Sequence, residues 1–347
     1  MTRMNDEVQQ ALARGVDWLV AQQLADGGWH STTYGQLKDG AAVTALALYA
    51  LAHLPLTLRS NERVWSKASA FLERGITRRG TIAEPDGTLD FPTYAAALWL
   101  SAQGRLSSGE PSTRTQKIVD YLLAAQIAKP RGFEPDSPSF GGWDLLSAED
   151  AQGITTGTNV SVTAYAVEAL ASQRTKASEP IEAELGLAKA YVFRCQQPDG
   201  GFAFTCEPAS LNNKAAYQEA EPTKPRSYGT ATCDGVRALI ACGLAPTDEP
   251  VAKGLAWLAK RPALEVVPGF EGLPAELGWQ RGLRFYYYAA LAPLLKYAAD
   301  SDARQAALQK HLLELQKPDG SWINESDRMR ENDPLIATPL AIVALCA

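Results

Sequence analysis

The feature that most constrains the fold is a phrase of about 16 residues that recurs along the chain. It reads RGVDWLVAQQLADGGW at 14–29, GLAKAYVFRCQQPDGGF at 186–202 and ALQKHLLELQKPDGSW at 307–322. Each copy is a stretch of helix-forming residues that ends in an Asp-Gly pair and an aromatic residue. Repeats of this kind bury their apolar faces by stacking on their neighbours. The chain is therefore predicted to be built from copies of one unit.

Three weaker copies complete the series. KIVDYLLAAQ at 117–126 is followed by FGGW at 140–143, and two more divergent copies read KASAFLERG at 67–75 and AKGLAWLAKR at 252–261. The six copies are spaced by about 50 to 70 residues, which leaves room for two helices in each unit. The repeat therefore predicts six helical hairpins.

Each strong copy has the pattern of an amphipathic helix that ends in a tight turn. Around the first copy, an apolar stripe recurs at helical spacing and leaves the opposite face for water. The Asp-Gly pair supplies the left-handed backbone that stops a helix. These segments are predicted to be outer helices. Their recurring amides and aromatics are interpreted as scaffold residues that cap and pack the turns: Gln23, Trp29, Gln197, Gln316 and Trp322.

A second kind of segment follows every copy, such as AAVTALALYALAHL after the first and PLIATPLAIVALCA after the last. These segments are apolar on nearly every side and rich in small residues, which is typical of helices buried all round. Six outer and six inner helices predict an all-α fold, an (α/α)6 toroid, as a single domain over 1–347. All inner helices then run the same way, and their N-terminal dipoles converge on one rim that favours anions.

Charge and cysteine content restrict the partners. The 33 Lys and Arg residues against 39 Asp and Glu give a net charge of -6, which argues against a nucleic-acid partner. The five cysteines include no CxxC pair and are typical of reduced thiols in the cytoplasm. The first residues, MTRMNDEVQQ, lack a signal-peptide core, and no run of about 18 apolar residues occurs. A soluble cytoplasmic protein is predicted, with a peripheral membrane contact left open.

The phrase RGVDWLVAQQLADGGW resembles the QW repeat of squalene-hopene and oxidosqualene cyclases, and the hairpin layout resembles the β-subunits of protein prenyltransferases. QRGLRFYYYAAL and DGSWINESDRMRENDPLIATPLAIVAL resemble a bacterial group of single-domain proteins with prenyltransferase and squalene-oxidase repeats. The resemblance covers essentially the whole chain. It implies a toroid with a polyprenyl or terpenoid ligand in a central apolar cavity.

The catalytic motifs of both resembled groups are replaced in this chain. The cyclases protonate an alkene with an Asp of a DxDDTA stretch, whereas the closest match here, 159–164, reads NVSVTA. The zinc-binding Asp-x-Cys-Tyr of the prenyltransferases falls on RFYY at 284–287, and their zinc-binding His falls on Ile336. The known acid and the known zinc site are therefore both absent from the sequence, and no metal site is predicted.

Some positions of the prenyltransferase diphosphate pocket keep suitable chemistry. On that register a pocket Lys corresponds to Arg281, a pocket Tyr to Tyr287 and a pocket His to Tyr228. Arg284 also stands at the start of an inner segment, where a guanidinium can hold an anion by two hydrogen bonds. These four are candidate substrate-binding residues. The alternative is that the arginines are solvated groups on a rim.

Asp234 is the strongest candidate for a catalytic acid. It follows Cys233 inside an otherwise apolar inner segment, where an unpaired carboxylate is costly or has a raised pKa. The alternatives are an ion pair with Arg237, one turn along, or a position at a wet mouth. Cys233 is a candidate substrate contact that is equally explained as a small core residue.

Further candidates lie near the starts of inner segments. Asp39, Asp90 and Asp333 are predicted to be N-caps, and the alternative is a cluster that holds Mg²⁺ for a diphosphate substrate; no other cofactor is predicted. Asp333 is also kept as a candidate substrate contact. Three consecutive tyrosines cannot all face one way on a helix, so one or two should line the cavity, with Tyr286 and Tyr287 as the candidates.

Two functional hypotheses follow. The first is an isoprenoid-processing enzyme whose cavity holds a polyprenyl or terpenoid substrate and whose rim holds the polar head. Asp234 would be the acid, with Tyr228 and Tyr287 as hydrogen-bond donors. The second is a non-catalytic isoprenoid-binding or scaffold protein that keeps the toroid without the inherited catalytic groups. The sequence leaves the choice between them open.

Overall fold

The computed structural model describes residues 2–59, 62–82, 91–106, 112–145, 157–174, 179–207, 214–216, 224–274 and 277–347. Within these ranges the chain forms α-helices and short 3₁₀ turns. The β-structure of these ranges consists of two isolated bridges and no strand. None of the described helices is both long and apolar enough to cross a membrane.

Apart from one helix of four residues, Trp279–Gly282, the described helices alternate along the chain between the two kinds that the sequence predicts. In chain order they are α1 (Thr2–Ala21), α2 (Ala41–His53), α3 (Glu62–Arg74), α4 (Pro92–Leu106), α5 (Thr113–Ala125), α6 (Val160–Ser172), α7 (Glu179–Cys195), α8 (Gly229–Ala241), α9 (Glu249–Ala259), α10 (Trp279–Gly282), α11 (Arg284–Leu291), α12 (Ser301–Leu315) and α13 (Pro334–Leu345). A 3₁₀ segment, Ala292–Tyr297, continues α11.

Six of these helices form a closed inner ring. Helix α2 packs against α4, α4 against α6, α6 against α8, α8 against α11, α11 against α13, and α13 returns to α2. Helices α1, α3, α5, α7, α9 and α12 pack outside that ring. The (α/α)6 toroid predicted from the repeat is confirmed.

Burial explains which helices are inner and which are outer. In α3 the buried residues are Val64, Ala68 and Leu72, one residue per turn along a single stripe. In α13, by contrast, every residue from Ala337 to Leu345 is buried. The outer helices therefore have one face exposed to solvent, whereas the inner helices are almost completely buried.

The glutamine of the repeat joins neighbouring outer helices. The Gln23 side-chain amide donates to the carbonyl of Gly27 in its own turn, at 2.9 Å, and to the carbonyl of Val64 in α3, at 2.8 Å. Gly27 has a φ of +96°, and a Cβ there would lie 2.5 Å from the Lys67 carbonyl oxygen, so this turn requires glycine. The same pair of bonds, to a turn and to the next outer helix, is made by Gln126, Gln196 and Gln316.

The prediction that Gln197 is the scaffold glutamine of its copy is wrong by one residue. Gln196 donates to the Gly200 carbonyl at 3.0 Å and to the Pro250 carbonyl of α9 at 2.8 Å. Within the described residues, the Gln197 side-chain amide donates to the nearby Cys195 carbonyl, at 3.1 Å, and to no neighbouring outer helix. Two adjacent glutamines give the sequence pattern no way to choose between them.

The aromatic residue of the repeat joins each turn to an outer helix and to an inner helix. The Trp29 indole N–H donates to the Leu19 carbonyl of α1 at 2.7 Å, and the Trp29 backbone N–H donates to the Thr44 hydroxyl of α2 at 2.8 Å. The backbone contact with an inner-helix threonine recurs in three more units, as Trp143 with Thr163, Phe202 with Thr232 and Trp322 with Thr338. Scaffold roles for Trp29 and Trp322 are confirmed.

The two adjacent glutamines provide a matched test of this scaffold. We expect Gln196→Ala to lower the free energy of unfolding by about 1–3 kcal/mol, because two partly buried carbonyls lose their donor. Gln197→Ala should change it by about 0.5 kcal/mol or less, since only a local bond is lost. Urea unfolding of the two variants measures the difference. Equal losses for both would contradict the assignment of Gln196.

Candidate functional site

A cavity of about 530 Å³, here called the front cavity, opens along the axis of the inner ring. All six inner helices contribute to it near their N-terminal ends, which confirms that these helices run the same way. The lining residues include the one-turn pairs Ala42 and Leu46, Tyr94 and Leu98, Ser161 and Tyr165, and Ile336 and Leu340, together with Thr230 and Tyr286. The volume lies within the usual range for a small-molecule site.

Asp234 lies directly beneath this lining. It is fully buried in the second turn of α8. Its Oδ2 accepts hydrogen bonds from the Ser161 hydroxyl at 2.6 Å and from the Tyr286 hydroxyl at 3.0 Å, and both donors line the front cavity. The predicted alternative of a wet mouth does not apply to Asp234, because none of its surface is exposed.

The predicted partnership of Asp234 with Arg237 is present. The Arg237 Nη1 lies 3.1 Å from Asp234 Oδ1, and the rest of the guanidinium pairs with both carboxylate oxygens of Glu168. The guanidinium carbon also lies 5.0 Å from the centre of the Tyr165 ring. Two carboxylates and one ring therefore hold Arg237 in place.

A second cavity, here called the rear cavity, lies at the C-terminal ends of the inner helices and has a volume of about 750 Å³. Arg237 and Glu168 line the rear cavity, with Tyr49 and His53 beside them. Asp234 thus sits in the partition between the two cavities. Its Oδ2 meets hydroxyl groups of the front cavity, and its Oδ1 meets the guanidinium that borders the rear one.

Burial sets the protonation of this group. Burial raises the pKa of Asp234 to about 6, against the opposing effects of Arg237 and of the Ser161 and Tyr286 hydroxyls. Burial, and then the neighbouring Asp234 charge, raises the pKa of Tyr286 well above its ordinary value, so its phenol keeps its proton. The arrangement can therefore hold a proton up to about pH 6 and connect it to the front cavity through a hydroxyl group.

Three tyrosine rings surround the floor of the front cavity. The centre of the Tyr165 ring lies 5.5 Å from that of Tyr94 and 6.3 Å from that of Tyr286, both edge to face. Aromatic rings can stabilise a cation that lies against them. Tyr286 was predicted, whereas Tyr94 and Tyr165 were missed. Their signal was a tyrosine within an otherwise apolar inner segment.

Several predicted site residues lie away from the front cavity. Cys233 is fully buried, and burial raises the pKa of its thiol well above the ordinary value. Tyr287, on another face of α11, borders a separate pocket of about 220 Å³ beside α9 and α12. Arg281 is exposed on α10, and Arg284 pairs with Glu325 and donates to the Asn324 side-chain oxygen. Tyr228, in contrast, lines the front cavity.

The aspartates at helix starts behave differently from one another. Asp333 is buried and N-caps α13, because its carboxylate accepts from the Leu335 backbone N–H at 2.9 Å and from the Ser31 hydroxyl. The capping prediction for Asp333 is confirmed. Asp39 lies 3.8 Å from the Lys38 ammonium, and Asp90 lies outside the described residues. Among the residues that the structure describes, no three metal-ligating side chains form a group that could hold a metal ion. The Mg²⁺ alternative stays a prediction.

Glu331 is a buried carboxylate that sequence reasoning missed. It accepts from the backbone N–H groups of Phe285 and Tyr286, at 3.0 and 2.9 Å, and from the Asn324 side-chain amide at 2.7 Å. Burial raises the pKa of Glu331 to about 7. A glutamate from a loop therefore caps α11 and fixes the turn that carries Tyr286. No periodicity in the sequence marks such a contact.

Comparisons with known proteins identify the fold. No family model and no curated protein matches the chain. Among solved structures, a variant of the type II terpene cyclase MstE from Scytonema, with its product merosterolic acid A, has a TM-score of 0.66 and 17% identity, over 99% of this chain and 98% of that one. Another MstE variant, with its substrate geranylgeranyl dihydroxybenzoate, has a TM-score of 0.65 and 17% identity, over 100% and 98%.

The same fold also occurs in a protein of different chemistry. A glycosidase has a TM-score of 0.57 and 15% identity, over 98% of this chain and 96% of that one. At these identities the likeness shows a shared toroid and leaves the reaction to be argued from the site itself. The class that the structure defines is therefore an α/α toroid, the fold that this chain shares with MstE and with the glycosidase.

The buried carboxyl group predicts a specific pH dependence of stability. The pKa of Asp234 is raised from its ordinary value of 3.8 to about 6, so the folded protein holds a proton that the unfolded chain releases. The resulting stabilisation is complete below about pH 4 and is lost as the pH rises through 6. Relative to Asp234→Asn, the wild type should lose on the order of 3 kcal/mol of unfolding free energy between about pH 4 and pH 7.

Denaturant unfolding at several pH values measures this difference. Ser161→Ala serves as the directional control: it removes a donor that lowers the pKa of Asp234, so the loss of stability should move to higher pH. Parallel pH curves for the wild type and Asp234→Asn would contradict the assignment of a raised pKa to this group.

Proposed function

We propose that this protein is an isoprenoid-processing enzyme that binds a prenyl chain in the front cavity and cyclises it after protonation of an alkene from Asp234. The observation that carries the proposal is the position of this carboxyl group. It lies at the closed end of an apolar cavity and is joined to it by the hydroxyls of Ser161 and Tyr286.

The proton has a short path into the cavity. When Asp234 is protonated, the 3.0 Å hydrogen bond would reverse, so that the carboxyl group donates to the Tyr286 hydroxyl oxygen and the phenol proton is free to point at the alkene. That proton would pass to the alkene in the same step as the Asp234 proton passes to Tyr286. The alkene becomes a tertiary carbocation, and Asp234 becomes a carboxylate. Arg237 and the Ser161 hydroxyl stabilise that carboxylate, which makes the acid stronger. The final cation would lose a proton to solvent, and Asp234 would take one back from solvent, so that the net reaction is an isomerisation that needs no further reactant.

The surroundings of the front cavity suit such a cation. The rings of Tyr94, Tyr165 and Tyr286 line the floor, and the walls above them are mainly aliphatic. A dry cavity protects a carbocation from capture by water. Ser161 falls within the segment that resembles the acid motif of the cyclases and donates to Asp234, so the proposed acid is supplied by the adjacent inner helix.

The similar structures suggest which substrates to try first. MstE is a type II terpene cyclase that was crystallised with geranylgeranyl dihydroxybenzoate as its substrate. A prenylated ligand of this size is a reasonable starting class for a cavity of about 530 Å³. The likeness is at the level of the fold, so the choice of headgroup has to come from this chain's own residues.

The second candidate function is a non-catalytic isoprenoid-binding or scaffold protein. The observation that favours it is the complete burial of Asp234, which is also engaged by Arg237 in a network with Glu168. Such a network can have a purely structural role. The two candidates differ in whether a bound prenyl chain reacts.

Turnover assays separate the two functions. The protein is incubated with farnesyl, geranylgeranyl and squalene-type substrates, and products are detected by mass spectrometry. We expect a cyclised product of unchanged mass from the wild type. Asp234→Asn should lower the rate by about 10²–10⁴-fold and Tyr286→Phe by a smaller factor, because both belong to the proton path. Tyr288→Phe is the matched control, since its hydroxyl contacts Leu264 and His311 outside the cavity.

Three outcomes of the assay would contradict the proposal or a part of it. Thermal stabilisation by a prenyl compound without any product would favour the binding protein over the enzyme. If neither product nor stabilisation is found with any of the three substrate classes, both forms of the proposal are wrong. Unchanged turnover in Asp234→Asn would remove this residue as the acid.

A further inference from the structure

A lysine ammonium lies against the apolar lining of the front cavity without an ionic partner among the described residues. The Lys214 Nζ lies 3.5 Å from the centre of the Phe204 ring and 5.8 Å from that of Trp279. No described carboxylate lies within 4 Å of it. A largely desolvated ammonium is costly unless an anion accompanies it.

A second cation lines the same cavity. The Arg330 guanidinium donates to the Gln36 side-chain oxygen and lies 5.3 Å from the centre of the Phe91 ring, and Phe91 also lines the cavity. Its hydrogen-bond partner is neutral, and in the described part of the chain no carboxylate pairs with this guanidinium. Neutral and aromatic partners hold both cations in position without cancelling their charge.

The two cations mark the open end of the cavity. Lys214 and Arg330 are partly exposed, whereas Ser161 and Tyr165 on the floor are buried and Asp234 is fully buried. Residues at the N-terminal boundaries of inner helices, including Asn159 of α6, lie in the same lining. The positive ends of helix dipoles therefore add to the charge of the side chains.

The titration of Lys214 agrees with this picture. Burial lowers the pKa of Lys214 to about 8, and the Asp234 charge only partly opposes this effect. The group is therefore mostly protonated at neutral pH but is held in an environment that disfavours its charge. A bound anion would reverse that penalty.

We propose that Lys214 and Arg330 form an anion site that holds a carboxylate or phosphate headgroup at the mouth of the front cavity. The inference rests on the proposed function, because the same ligand would extend its prenyl chain to the floor. The site would fix the orientation of the ligand in the front cavity. Its headgroup would lie at the two cations, and the far end of its prenyl chain would lie near Tyr286 and Asp234. Arg281 and Arg284, the arginines predicted from the sequence, have no place in this anion site.

Binding measurements with three ligands test the site without relying on turnover. Geranylgeraniol is neutral, geranylgeranyl monophosphate carries a phosphate, and geranylgeranoic acid carries a carboxylate. Kd is measured for each by calorimetry. We expect at least one of the two anions to bind the wild type about tenfold tighter than the alcohol does, and the better anion identifies the headgroup.

Variants of Lys214 test its contribution to this preference. Lys214→Met should reduce the preference for the anion over the alcohol by about tenfold and leave the Kd of the alcohol nearly unchanged. Lys214→Arg should retain most of it. Lys296→Met, at the rear cavity, is the matched control and should retain the full preference.

Failure of this inference can be distinguished from failure of the proposed function. If the alcohol binds and neither anion binds more tightly, the proposal of an anion site is wrong, but the proposal that the front cavity binds a prenyl chain is retained. A preference that survives in Lys214→Met would also overturn the site. If none of the three ligands binds, both the proposed function and the proposed anion site are contradicted.

Discussion

The closed inner ring is the constraint on which the rest of the structure depends. Its helices are apolar on nearly every side, so each can be buried only between two like neighbours and an outer layer. Six helix axes about 8–10 Å apart leave a ring axis at about the same distance from each of them. Side chains must therefore either reach across the centre or leave a cavity. This protein does both, because large side chains fill the middle and leave both ends open.

The middle of the ring carries charged side chains although it is deeply buried. Asp234, Arg237 and Glu168 form a chain of ion pairs there, and Tyr165 packs over the guanidinium. Isolated charges at this depth would be costly, and only the combination of pairing and hydrogen bonds makes them tolerable. Since the hydroxyls that complete the shell of Asp234 also line the front cavity, the same packing brings a titratable group within reach of a ligand.

The sequence predicted the fold better than it predicted the role of individual residues. The ring could be predicted because the repeat and the apolar segments are periodic, and Asp234 could be predicted because it interrupts such a segment. Gln196 and Gln197 show the limit of this reasoning, since adjacent identical residues differ only in how the turn directs them. Tyr286 and Tyr287 were both candidates, and the helical rotation between them places only Tyr286 in the front cavity.

The residues that sequence reasoning missed lie mostly where no periodicity exists. Lys214, Arg330 and Glu331 belong to segments between helices, and their contacts depend on where those segments cross the mouth. Arg281 was chosen from a family register, and Arg284 from its position at the start of an inner segment. The structure shows that Arg281 is exposed and that Arg284 pairs with Glu325. Nothing in the sequence marks either property.

The most direct test of the account is a crystal structure of the protein with a geranylgeranyl ligand that carries an acidic headgroup. The account predicts a chain in the front cavity, with its terminal isoprene unit within about 4 Å of the Tyr165 and Tyr286 rings and the acid beside Lys214. A chain that occupies the rear cavity, or one that directs its headgroup toward Asp234, would contradict it.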